Sequence, residues 1–184
     1  MKPFDYISVL LSIVLSLALA HILASAAHII QHGLRRGSAL LTFWIAIIAY
    51  MVVDFWLSVW HLHEQSAWSL PFILFLLIQV SLIYVAARIA TPEGRPDEPI
   101  DMVAHFEATR RRMFEVLGVY MMFGLAANQF IPGFATLELK IISLSYVVLF
   151  FTASRIAAIN AQRAIAAIVL GLTVYYSVRY MGGI

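Results

Sequence analysis

The run ALLTFWIAIIAYMVVDFWLSVWH, Ala39 to His61, decides the class of this protein. A helix needs about 20 residues to cross a hydrocarbon core of about 30 Å. This run meets that length with one charge, Asp54. Five more apolar runs lie on either side of it. They extend from Phe4 to about Ile30, Leu70 to about Ala90, Met113 to about Phe130, Thr136 to Ser154 and Ala164 to Tyr180.

The composition agrees. The chain has 184 residues, 62% hydrophobic and 12% charged, against about 45–50% and about 25% in soluble domains. It has no cysteine, which excludes disulfide frameworks, cysteine-ligated metal centres and thiol nucleophiles. We therefore expect an all-α, polytopic membrane helix bundle. Its six transmembrane helices cover about 4–30, 39–61, 70–90, 113–130, 136–154 and 164–180, with short loops, in a single domain over 1–184. Lys2, the first apolar run and Ala24-Ser25-Ala26 imitate a secretory signal. Asp5 in the charged region opposes that, so the first segment reads as a retained helix.

The separators carry helix-end chemistry. Gly33 suits a C-terminal cap, Ser38 an N-cap and Pro71 the first turn of the third helix. Thr91-Pro92 closes that helix, and Ile131-Pro132-Gly133 forms a turn. From Asp97 to Arg112 the chain is polar. Asp97 is positioned to cap a short amphipathic cytoplasmic helix with Pro99, Val103 and Phe106 on its apolar stripe. Asp101 with His105, and Glu107 with Arg111, are four apart on its surface. The helix lies on the membrane surface or runs straight into the fourth span. Arg110, Arg111 and Arg112 then sit at headgroup level, as a topology anchor and a site for anionic lipid, at about 1 kcal/mol per charge.

Basic residues set the orientation. Arg35, Arg36, Arg88, Arg95, Arg110, Arg111, Arg112, Arg155 and Arg163 fall on one side of the six-span arrangement, against Lys2, Lys140 and Arg179 on the other. The positive-inside rule places both termini outside, in the periplasm of a bacterial inner membrane. Tyr6, Trp60, Trp68, Tyr175, Tyr176 and Tyr180 then form an outer aromatic belt.

Depth sorts the polar residues. His21, Ser25, His28 and His32 share one face of the first helix, and Tyr50, Asp54, Ser58 and His61 one face of the second. Asp54 lies about 10 Å deep at 1.5 Å per residue, where a carboxylate costs about 2.5–3.5 kcal/mol on insertion scales. Lys140 enters at similar depth and is the expected partner, with Glu138, His61 and Gln79 next. Ser143, Tyr146, Asn128 and Gln129 add further polar groups. Asp54 reads either as a protonatable or ion-binding site or as half of a register-fixing ion pair. His21 reads as a helix–helix hydrogen bond or a proton relay.

The histidine groups His28/His32 and His61/His63/Glu64 lie at opposite ends and each supplies too few ligands, so no metal site is assigned. His28 and His105 are the pair placed to meet near the cytoplasmic surface, which is poor haem geometry. No phosphate loop or hydrolase motif occurs, nothing asks for a cofactor, and the basic residues are accounted for by topology rather than nucleic acid. Three functions remain in order. The first is a small transporter or ion or proton channel, homo-oligomeric, with a polar outer cavity around Asp54 whose path includes Tyr50, Gln79, His61, Glu138, Lys140 and His21. The second is an accessory or assembly subunit of a larger membrane complex. The third is a haem- or metal-binding membrane enzyme. Three spans in each half have the parity of an inverted repeat, without sequence similarity between the halves.

Overall fold

A computed structural model describes residues 3–63, 65, 67–93, 99–129 and 135–181. Six helices account for most of them: α1 (Pro3–His32), α2 (Ala39–Trp60), α3 (Leu70–Ala90), α4 (Met102–Ala127), α5 (Leu137–Arg155) and α6 (Ile159–Tyr176). One π-helical turn, Ser177–Met181, continues α6. All but α4 are long and apolar enough to cross a membrane. The protein is an all-α membrane bundle.

The helix ends form for the expected reasons. Gly33 has φ 79° and its amide donates to Ile29 O at 2.8 Å, closing α1 in the left-handed conformation that glycine adopts without strain. Ser38, Ser69 and Thr136 each accept an amide from the first turn of α2, α3 and α5. Pro71 sits in the first turn of α3, and Thr91 caps its end, its hydroxyl donating to Ala87 O. The turn expected at Ile131-Pro132-Gly133 and the cap expected at Asp97 lie outside the described residues.

The polar segment before the fourth span folds differently from expectation. Asp101, not a residue upstream of Pro99, is the N-cap, accepting from Ala104 N at 2.9 Å. The amphipathic segment and the fourth apolar run form one 26-residue helix. The surface pairs also change. Asp101 bonds Arg36 at 2.7 Å rather than His105, and Arg111 bonds Glu115 at 3.0 Å rather than Glu107. Residues 34–36 and 100–101 pair as two short parallel strands, β1 and β2, matching Leu34 with Ile100 and Arg36 with Asp101. This clasp ties the α1–α2 connection to the start of α4.

Packing produces a ring. Successive neighbours α2, α3, α4, α5 and α6 touch, and α6 returns to α2. Helix α1 lies outside the ring against α3 and α2. Its buried residues Phe4, Ile7, Leu11, Leu15, Ala18, Ile22 and Ser25 recur at three and four, which is one stripe of a helix. Its other faces expose Tyr6, Val9, Leu10, Ile13, Leu17 and Leu23, the side that meets lipid. In the middle of the ring Trp44, Phe114 and Phe150 are fully buried. Trp44 packs edge-on against Phe114 at 4.9 Å and against Phe150 at 6.0 Å, a favourable arrangement for aromatic quadrupoles.

Candidate functional site

On one side of that aromatic layer the ring encloses a chamber of about 100 Å³. Each of the five ring helices contributes polar side chains to it. Tyr50, Asp54 and Ser58 come from successive turns of α2, Gln79 from α3, Tyr120 from α4 and Asn128 from its C-cap. Ser143 and Tyr146 come from α5, and Thr173 and Tyr176 from α6. The spacings of three and four put each set on one helical face. Met51, Phe55, Leu76, Met121 and Ile142 complete the wall. Ser58, Leu62 and Asn128 stand where α2 and α4 end, so the chamber reaches that end of the bundle. Asp54 is about 9 Å from there, six residues at 1.5 Å each.

The hydrogen bonds have a definite polarity. Thr173 donates its hydroxyl proton to Val169 O at 2.8 Å, so the proton in the 2.8 Å Tyr146–Thr173 contact comes from Tyr146. Ser177 donates to Thr173 O at 2.7 Å, so the proton in the 2.8 Å Tyr50–Ser177 contact comes from Tyr50. Both tyrosines therefore point their protons into α6 and keep oxygen lone pairs free to accept. The Tyr176 side chain lines the chamber together with Asp54 and Ser58. Asn128 donates to Ser143 at 3.3 Å.

Two buried acceptors on this wall have no partner: Asp54 Oδ1 and Gln79 Oε1. Gln79 is 5% exposed. Unpaired buried acceptors cost about 1–3 kcal/mol each, more when charged. Among the described residues no cation pairs with Asp54. The π turn begins at the residue after Tyr176, and its first residue, Ser177, bonds Tyr50. Such turns recur at functional sites.

Of the residues expected to act together, the structure unites Asp54, Tyr50 and Gln79 and separates the rest. Lys140 is exposed and lies outside the chamber wall, so the Asp54–Lys140 pair does not form. Lys140 is six residues from the inward Tyr146, about 120° around the helix from it. Glu138 accepts a hydrogen bond from Tyr175 at 2.5 Å on the rim. His61 is exposed and its Nδ1 lies 3.2 Å from Leu57 O. His21 is on α1, outside the ring, with Nδ1 3.1 Å from Arg88 Nη1. It is not among the residues that line the chamber.

The other clusters also resolve. His28 stacks on His32 at 4.4 Å, while His105 Nε2 lies 3.0 Å from Ile89 O, so the expected His28–His105 meeting does not occur. His63 stacks on Trp60 at 5.3 Å, and Glu64 lies outside the described residues. No group of three metal-type ligands occurs among the described residues. The three arginines diverge. Arg110 turns inward and donates to Ile156 O at 2.9 Å, Arg111 bonds Glu115, and Arg112 is exposed.

Tyr120, Tyr176 and Thr173 are the chamber residues that sequence reasoning missed. The sequence alone groups Tyr176 with the outer aromatic belt. Adjacent Tyr175 and Tyr176 are 100° apart on a helix and cannot both face lipid squarely, and it is Tyr176 that turns in. Fold and site together define an integral membrane helix bundle with an acidic polar chamber between its helices. No family model, curated protein or solved structure matches the chain.

Proposed function

We propose that the protein carries a proton or a small cation across the membrane and takes it up in the Asp54 chamber. The supporting observation is Asp54 itself, a carboxylate inside a membrane bundle whose Oδ1 is buried without a partner. A charge so placed must be neutralised by something that can come and go, either a proton or a cation. The aromatic layer of Trp44, Phe114 and Phe150 closes the chamber on one side, which favours a carrier with alternating access over an open pore. The arginine-rich end, opposite the chamber mouth, faces the cytoplasm by the positive-inside rule. The mouth therefore faces the exterior or periplasm, and both termini lie on that side. In a bacterium the membrane is the inner one.

Purified protein in liposomes with an interior pH dye tests this. A pH or cation gradient is expected to drive flux, and Asp54→Asn is expected to reduce it at least tenfold while leaving the solubilised protein monodisperse. Equal flux in both proteins, or none under any gradient, contradicts the proposal. The second result favours an accessory subunit.

A further inference from the structure

We infer that the Asp54 chamber binds a short primary alkylammonium ion, an R–NH3+ of about one to three carbons. This rests on the proposed carrier function and names its substrate class. The wall offers acceptors. Asp54 Oδ1 and Gln79 Oε1 are buried and unpartnered, on α2 and α3. The Tyr50 and Tyr146 oxygens have already given their protons to α6. The complement to a carboxylate, an amide oxygen and two phenol oxygens is a cation with several N–H donors. An ammonium head has three and no acceptor.

Two other classes fit less well. A bare alkali or alkaline-earth ion asks for an oxygen shell of six or more ligands, and much of this wall is apolar: Met51, Phe55, Leu76, Met121 and Ile142. The acceptors left free on this wall, Asp54 Oδ1, Gln79 Oε1 and the Tyr50 and Tyr146 oxygens, are fewer than that shell requires. An anion would face Asp54 with no cation to hold it. The apolar wall instead suits a short alkyl tail beside the ammonium head. The chamber is small: about 100 Å³ is well below the about 300–1,000 Å³ of pockets for drug-sized ligands, so it suits a chain of a few carbons.

Isothermal titration of the full-length protein in detergent at pH 7 tests this with n-propylammonium chloride. For four non-hydrogen atoms the tightest Kd expected is on the order of tens of micromolar. Asp54→Asn is expected to weaken binding at least tenfold, and Gln79→Met about three- to tenfold. Tetramethylammonium, which lacks N–H donors, and potassium are each expected to bind at least tenfold more weakly than n-propylammonium. Tetramethylammonium binding as well as n-propylammonium overturns the donor argument, and potassium binding better overturns the ligand class. Unchanged affinity in Asp54→Asn removes the site from the chamber, with Gln79→Met as the independent check should the first variant misfold. No binding of any amine, alongside Asp54-dependent proton flux in liposomes, overturns this inference and leaves the carrier reading standing. Absence of both overturns the two together.

Discussion

At the residue scale, two aspartates show how surroundings assign roles. Asp101 lies at the protein surface, where its carboxyl is held below its ordinary value, first by the Ala104 amide and then by the Arg36 guanidinium. A depressed carboxyl stabilises the folded form at pH values above the unfolded pKa of about 3.9. That contribution disappears as pH falls through the lower folded value. The clasp between β1 and β2 should thus be unaffected near neutrality and loosen only in acid. The Ala104 amide shift, followed by NMR against pH, should inflect below the ordinary carboxyl range, and Arg36→Ala should move the inflection upward. An inflection at or above the ordinary value in the native chain contradicts this. Asp54 has the opposite setting, in a chamber between helices with an oxygen, Oδ1, that nothing in the described protein satisfies. The first carboxylate is used up by structure; the second is left available.

At the element scale the weak point is the break between α5 and α6, where no side chain caps the α6 N-terminus. Gln162, 1% exposed, holds the break by donating to Ala153 O at 2.7 Å and Ile156 O at 2.6 Å. Arg110 from α4 donates to Ile156 O as well. Gln162→Leu removes two bonds, but Arg110 Nη1 stays within reach of both carbonyls, 2.9 Å from Ile156 O and 3.5 Å from Ala153 O. The cost should therefore be that of a weakened rather than an orphaned pair, about 1 kcal/mol, read as a lower midpoint in denaturant. A cost near zero would mean that the break is held elsewhere. Helix boundaries of this kind explain what the sequence could and could not disclose. Ala39–His61 and Leu70–Ala90 were legible because length and hydropathy alone define a span. The start of α4 was not, because Asp97 and Asp101 both resemble caps and only tertiary pairing with Arg36 selects between them. Asp54 was legible as a lone charge in a span. Its partner was misread because depth follows from counting along a helix, whereas azimuth depends on which neighbours pack against it. Lys140 has the right depth and the wrong face.

At the scale of the whole molecule, the bundle is an asymmetric container. A ring of five helices holds an acidic chamber that reaches one end, an aromatic layer seals the middle, and most of the basic residues gather at the other end. The chain has no cysteine, so single thiols report on water access without background. The most direct measurement places one at Ser58→Cys in the chamber mouth, with Phe114→Cys in the seal and Arg163→Cys at the arginine end as references. Each is treated in intact cells and in inverted vesicles with a membrane-impermeant thiol reagent. Ser58→Cys is expected to react from the outside and to be slowed at least threefold by millimolar n-propylammonium, Arg163→Cys to react from the cytoplasmic side, and Phe114→Cys to react from neither. A Ser58→Cys thiol that is unreactive from both sides, or that reacts from the cytoplasmic side alone, would contradict a cation chamber open to the exterior.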